Sequence, residues 1–220
     1  MDNRPVDIFI PTISNHIPFI RRSFGSLFFQ EYVNRRTVLW VEDPGTPPIE
    51  EFLNTIWYEP HERKQSPAQS DVPVSVEYCA KGVLARNYQG RTGNAWRARQ
   101  WIFEWEGKSE FVKMLDSDDI LMPWAINVMM DYMKDDIDCV FHPLISIAGR
   151  RLGGVIDIGN GPCIGGAAQM LIRSSLMKRI LDDGFRWGIK SDDDIFYKFF
   201  REHGYKSALT TESAMYLYIK

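Results

Sequence analysis

Phe111-Val112-Lys113-Met114-Leu115-Asp116-Ser117-Asp118-Asp119 is the stretch that decides the fold. Its first five residues form an apolar run with one charge, at Lys113, and predict a buried strand. In open α/β sheets ligands bind beyond the carboxyl ends of the strands, which is where this strand delivers Asp116 and Asp118. Their carboxylates are hard oxygen ligands of the kind that Mg²⁺ or Mn²⁺ accepts. We therefore expect a metal site at Asp116 and Asp118.

A structural alternative is that these acids only cap the following helix. For an isolated D-x-D motif, capping is the stronger interpretation. Here, however, the segment 116–119 carries three acids in four residues. Such a cluster is self-repelling unless a cation or solvent compensates it, which favours the metal.

Strands and helices alternate along the chain, which predicts an α/β sheet with crossover helices. After residue 149, repeated glycines indicate loops and short antiparallel strands around a site. The further strands are predicted at Val6–Ile10, Thr37–Val41, Val74–Tyr78, Cys139–Ile145 and Gln169–Ile172. The first helix is predicted to be capped by Ser14 or Asn15 and to have the apolar face Ile17, Ile20, Phe24, Leu27 and Phe28. Further helices are predicted at Ile49–Ile56, Asn94–Trp105, Pro123–Met133, from Ser174 or Ser175 to Gly184, and from Ser191 to Gly204, with an exposed loop or lid at Glu59–Pro73.

Composition places the chain among ordinary globular proteins. It has 220 residues, 45% hydrophobic, with a net charge of -3, so no global basic field favours nucleic acid. Three scattered cysteines indicate neither a zinc site nor a disulfide framework. No signal-peptide pattern and no run of about 20 apolar residues is present, so a soluble, cytoplasmic protein is expected.

Four segments in order resemble the GT-A glycosyltransferases that are similar to family 2. The first, Asp7-Ile8-Phe9-Ile10-Pro11-Thr12, resembles their opening strand. The second, Val38-Leu39-Trp40-Val41-Glu42-Asp43-Pro44-Gly45, resembles the strand that ends in a base-contacting acid. The third is the Phe111–Asp119 stretch, and the fourth is Ser191-Asp192-Asp193-Asp194-Ile195 with Gly204-Tyr205. Together they span roughly residues 6 to 210.

The resemblance implies a single GT-A domain over residues 1–220, with a nucleotide-sugar half (1–122) and an acceptor half (123–220). Its sheet would be Rossmann-like, mixed and mainly parallel, flanked by helices, with a small antiparallel acceptor-side region. The activity implied is transfer of a sugar from a nucleotide diphosphate, with a UDP-sugar favoured, to an acceptor hydroxyl. Inversion is favoured and retention stays open. Mn²⁺ or Mg²⁺ is the cofactor implied.

The resemblance also assigns residues to roles. The metal ligands are Asp116 and Asp118. The catalytic base is Asp192 or Asp193, although acids after Ser191 equally suit a helix start. The nucleotide-sugar site comprises Pro11, Thr12, Asp43, Arg91, Asp116 and Ser117, and the acceptor side comprises Gly165, Gly166 and Trp187.

Several of these residues have plainer interpretations. Arg91 lies in a Gly-flanked loop and is the favoured diphosphate ligand, whereas Arg97 and Arg99 are interpreted as a solvated helix face. Gly165 and Gly166 equally suit a simple turn, and Trp187 suits a core residue better than a stacking one.

Two departures from the family pattern stand out. Where the family has A-R-N-x-G before the central helix, we place Arg91-Thr92-Gly93-Asn94-Ala95. Some members of the family use a downstream histidine as a third metal ligand. No histidine follows His203 in this sequence, so that ligand has no counterpart.

Two other functions stay open. One is an inactive module that binds sugar nucleotides or a partner. The other is a HAD-type phosphatase, whose D-x-D motif normally follows the first strand and expects Thr or Val at the position of Ile120. The acceptor is expected to be a saccharide or lipid-linked saccharide, with a modified DNA base as a less favoured choice, and the oligomeric state is open.

Overall fold

The computed structural model describes part of the chain, and the statements below concern that part. Its backbone is described at residues 4–13, 17–32, 34–42, 62–64, 74–80, 83–88, 99–100, 102–104, 107–142, 145–148, 151–155, 167–187, 196, 199–200, 202–203, 205–210 and 216–219.

The described elements are strands and helices in alternation. The strands are β1 Val6–Ile13, β2 Arg35–Glu42, β3 Glu62–Lys64, β4 Val74–Ala80, β5 Val83–Tyr88, β6 Phe111–Met114, β7 Ile120–Leu121, β8 Cys139–Phe141, β9 Ile145–Ala148, β10 Arg151–Val155, β11 Met170–Arg173, β12 Ser207–Leu209 and β13 Tyr216–Ile219. The helices are α1 Ile17–Phe28, α2 Ala125–Tyr132 and α3 Ser174–Trp187, with a 3-10 turn at Ala167–Gln169. Residues 99–100 and 102–104 are also helical.

The larger sheet has nine strands in the order β12-β8-β11-β6-β1-β2-β5-β4-β3. Its middle, β6-β1-β2-β5, is parallel throughout, so the carboxyl ends of these four strands meet at one edge. Antiparallel pairings flank this middle on both sides. The expected mixed α/β sheet with a parallel centre is confirmed, and its carboxyl edge is the place where a site would form.

A smaller sheet has the order β10-β9-β13-β7. β9 and β10 form an antiparallel pair, and β10 lies in the region after residue 149 where short antiparallel strands are expected. β7 follows the acidic turn directly and pairs with β13 from the end of the chain. The small sheet therefore connects the acidic turn to the second half of the sequence.

Two buried clusters cover the two faces of β6. The first, here called the α1–α2 cluster, includes Phe111 and Leu115 with residues of α1 and α2. The second, the α3 cluster, includes Val112 and Met114 with Leu176, Met177, Ile180 and Leu181 of α3. Each buried aliphatic or aromatic side chain contributes about 1.5–3 kcal/mol. The central strand is thus packed on both faces, as parallel strands require.

Four of the predicted boundaries are wrong. The strand predicted at Cys139–Ile145 is divided between β8 of the large sheet and β9 of the small one. The loop predicted at Glu59–Pro73 contains the edge strand β3. α3 continues past Gly184 to Trp187. β1 also continues through Pro11 and Thr12 to Ile13, where we had expected the chain to leave the sheet.

Candidate functional site

The acidic segment 116–119 forms a tight turn at the carboxyl edge. The Leu115 amide donates to the Phe9 carbonyl at 3.0 Å, which extends the pairing of β6 with β1 up to the turn. The Asp119 amide then donates to the Asp116 carbonyl at 3.2 Å and closes it. Ser117 and Asp119 are buried, whereas Asp116 and Asp118 are partly exposed. The two predicted metal ligands are therefore the two acids of the turn that solvent reaches.

Arg99 makes an ion pair with Asp116. Its side chain is only 4% exposed, and the Asp116 side chain is 39% exposed. Our interpretation of Arg99 as part of a solvated helix face is wrong, because the side chain is buried and pairs with an acid of the turn that follows β6. A buried cation beside the acidic turn supplies part of the charge compensation that the turn needs.

Lys113 lies beneath the same turn. The side chain is fully buried, and its Nζ donates to the carbonyl oxygens of Met114, at 3.0 Å, and Ala168. Burial lowers the pKa of Lys113 to about 7, Asp116 and Asp119 act in the opposite direction, and Arg99 lowers it further. The turn thus has one cation at its side and a second, readily deprotonated one below it.

The end of α1 supports the strand that leaves the turn. Ser26 Oγ accepts a hydrogen bond from the Leu121 amide at 3.2 Å. Gln30 Nε2 donates to the Met122 carbonyl at 2.7 Å, and the Glu31 amide donates to the Pro123 carbonyl at 2.9 Å. These contacts fix both ends of the turn, one through β6 and the other through α1.

Pro11 and Thr12 lie near the turn in the sheet. β1 and β6 are in register at Phe9 and Met114, so Asp116 follows at about the level of Pro11. Both residues are buried, and Thr12 pairs with Val41 of β2. The structure thus brings Pro11, Thr12, Asp116, Ser117 and Asp118 to one edge.

The other predicted site residues are not described. Asp43, Arg91, Gly165, Gly166, Asp192 and Asp193 lie outside the described residues, and only the backbone of Trp187 is described, as the last residue of α3. In sequence, Asp43 directly follows β2 and Arg91 follows β5 by three residues. Their roles stay predictions.

β5 is an element for which we made no prediction. It contains Ala85-Arg86-Asn87, which matches the first three residues of the family motif that we sought at 91–95. Arg86 pairs with Trp40 of β2 in the parallel register. The signal was present in the sequence as A-R-N preceded by the apolar pair Val83-Leu84.

Within the described side chains, no group of three or more His, Cys, Asp or Glu residues is arranged to hold a metal ion. The candidate donor set consists of Asp116 and Asp118. Two carboxylates that solvent reaches fit a hard divalent cation that takes its other ligands from water or phosphate oxygens, as Mg²⁺ commonly does. The residues therefore fit such an ion as a partial site.

Comparison with known proteins gives a match in structure alone. No family model matches the sequence, and no curated protein matches it. S. aureus TarS 1-349 in complex with UDP-GlcNAc superposes with a TM-score of 0.70 at 15% identity, covering 98% of this chain and 58% of that one. The mannosyltransferase PcManGT from Pyrobaculum calidifontis, in complex with GDP-Man and Mn²⁺, superposes with a TM-score of 0.61 at 13% identity. This match covers 100% of this chain and 57% of that one. The chain has a GT-A fold.

The same fold occurs in a protein of another activity. The 4-diphosphocytidyl-2C-methyl-D-erythritol synthase from Anaerococcus prevotii gives a TM-score of 0.59 at 9% identity, covering 95% of this chain and 87% of that one. Fold alone therefore does not decide the reaction. Among the described residues, no helix combines the length and the apolarity needed to cross a bilayer.

Proposed function

We propose that the chain is a metal-dependent glycosyltransferase that moves a sugar from a nucleotide-diphosphate donor to an acceptor hydroxyl. The observation that carries this proposal is the acidic turn at Asp116–Asp119, which a parallel strand delivers to the carboxyl edge with Arg99 paired to Asp116. A GT-A fold with two partly exposed carboxylates at that edge suits a diphosphate and its cation.

The nucleotide would occupy the edge formed by β1, β2 and β5. Pro11 and Thr12 lie near the carboxyl end of the first of these strands, and Asp43 and Arg91 follow the other two in sequence. We propose that the base lies between the Pro11–Thr12 segment and Asp43, and that Arg91 grips the diphosphate with its planar fork of donors. A UDP-sugar is the favoured donor, since TarS was solved with UDP-GlcNAc, although PcManGT was solved with GDP-Man.

Asp116 and Asp118 would hold Mn²⁺ or Mg²⁺, with Ser117 near the donor. A bound cation would neutralise charge that develops on the departing diphosphate. Arg99 has a defined part in this proposal: it keeps Asp116 compensated before the donor arrives, and its guanidinium can then pair with phosphate oxygens.

On the acceptor side, Asp192 or Asp193 would take the proton of the attacking hydroxyl. A single displacement assisted by that base would invert the anomeric centre. Gly165 and Gly166 would allow close approach of the acceptor, and Trp187 would stack on it. A saccharide or lipid-linked saccharide is the proposed acceptor.

The test is release of the nucleoside diphosphate from sugar nucleotides in the presence of Mn²⁺. Wild type should release UDP or GDP from at least one of a panel of UDP- and GDP-sugars, and EDTA should abolish the release. Asp116→Asn should lose at least about a hundredfold in rate, as expected when a group that acts on the developing charge is removed.

Asp131→Asn, in an exposed position of α2, is the matched control and should keep the wild-type rate. If no donor gave metal-dependent turnover, the proposed glycosyltransferase activity would be refuted. If a sugar nucleotide nonetheless raised the melting temperature, the inactive binding module would be the correct alternative.

A further inference from the structure

A lysine occupies a core position of the central strand. Lys113 is fully buried. Phe111 and Leu115, two residues away on either side, belong to the α1–α2 cluster. Since alternate side chains of a strand lie on opposite faces, Lys113 lies on this same apolar face. An apolar side chain would fill the position without the cost of burying an ammonium group, so stability alone does not account for lysine here.

The ammonium group connects two segments that are far apart in sequence. It donates to the carbonyl of Met114, two residues before Asp116, and to that of Ala168 in the 3-10 turn. The second contact spans 55 residues. The 3-10 turn directly follows Gly165 and Gly166, which are proposed for the acceptor side. Charge-assisted donation to both carbonyls ties the nucleotide side of the edge to the acceptor side.

The same group also compensates the acidic turn from below. Asp116 and Asp119 act on Lys113 as favourable opposite charges, and Arg99 acts as an unfavourable like charge. Arg99 and Lys113 therefore face the two acids together, one paired with Asp116 and the other within the strand beneath them. Removal of Lys113 would leave the acidic turn with less compensation.

We propose that Lys113 is a positioning residue that holds the acidic turn and the 3-10 turn Ala167–Gln169 in the arrangement that binds the donor diphosphate. It acts through Met114 and Ala168 and does not touch the donor. This inference rests on the proposed function. It adds to the proposed site a residue from the interior of β6.

The test compares nucleotide affinity with stability in Lys113→Met, which keeps the volume and removes the ammonium group. Affinity is the dissociation constant of UDP with Mn²⁺ by calorimetry, with GDP and Mn²⁺ as a second series, and stability comes from urea unfolding. We expect Lys113→Met to fold as stably as wild type and to bind about ten- to a hundredfold more weakly, as is usual for supporting residues of metal sites. Lys113→Gln keeps a hydrogen-bond donor and loses the charge. Its affinity for the nucleotide should lie between those of wild type and Lys113→Met.

Val112→Ala is the control. Val112 is the adjacent residue, is fully buried and belongs to the α3 cluster, so its truncation should lower stability and leave the affinity unchanged. Wild-type affinity in both Lys113 variants would overturn the inference. A loss of affinity in Val112→Ala equal to that in Lys113→Met would overturn it as well. Failure of wild type to bind either nucleotide would instead overturn the proposed function, and this inference with it.

Discussion

Two carboxylates at opposite ends of the parallel strands have different environments. Asp7, at the amino end of β1, is fully buried and accepts hydrogen bonds from the Lys108 and Ser109 amides at 2.8 and 2.9 Å and from Ser109 Oγ at 2.7 Å. Asp116, at the carboxyl edge, is 39% exposed and is paired with Arg99.

The difference separates a structural acid from a functional one. Asp7 is fully buried and accepts hydrogen bonds from Lys108 and Ser109, which fix that loop to the sheet. Asp116 is held by a side chain that can change partners, and solvent reaches it. Both acids flank apolar strand residues in the sequence, so the identity of the donors, and not the residue type, distinguishes them.

The largest effect on stability is expected from Asp7→Asn. The amide directs an N–H toward backbone donors and removes the charge, so the free energy of unfolding should fall by about 3 kcal/mol. Asp116→Asn should lower it by about 1 kcal/mol or less, because solvent screens the pair with Arg99. Urea unfolding of both variants checks the comparison, and equal losses would contradict it.

A smaller loss is expected from Gly107→Ala, in the loop that Asp7 anchors. The Gly107 amide donates to the Phe103 carbonyl at 2.9 Å, and an added Cβ would lie 2.5 Å from that oxygen. The loop would have to move, so the free energy of unfolding of Gly107→Ala should fall by about 2 kcal/mol.

The matched control for this loop variant is Gly25→Ala in α1, where a Cβ meets no atom within 4 Å. It should raise stability by about 0.5–1 kcal/mol, since alanine favours a helix. Thermal unfolding of the two variants should therefore shift in opposite directions.

The carboxyl edge should also show a dependence of stability on pH that comes from Lys113. The pKa of Lys113 is lowered to about 7 in the folded chain from an ordinary 10.5. Between these values the unfolded chain binds more protons, so the stability of wild type should rise with pH relative to Lys113→Met. The gain is at most about 1.4 kcal/mol per pH unit. Urea unfolding at pH 7, 8 and 9 measures it, and a constant difference between the two proteins would contradict the shift.

Local patterns in the sequence were sufficient for β1, β2 and β6 and for the acidic turn. The run Phe111–Leu115 predicts β6, and the acids that follow it predict a site at its carboxyl end. The helix α1 was also predicted, because its apolar residues recur at helical spacing.

The predicted bounds of helices and strands are wrong where the end of an element is not decided by the local sequence alone. Gly184 is a typical end of a helix, yet α3 continues to Trp187. A glycine inside a helix costs only about 1 kcal/mol, so it does not by itself end one. The division of 139–145 into β8 and β9 likewise depends on two different partner strands.

The sequence by itself determined the alternation of strands and helices, the acidic turn and the class of ligand that it suits, because periodicity and residue chemistry are local properties. Only the tertiary structure decided which cations face that turn. Arg99 is 17 residues from Asp116, and Lys113 contacts Ala168 across 55 residues. Such pairings depend on how helices and strands pack, which spacing along the chain does not encode.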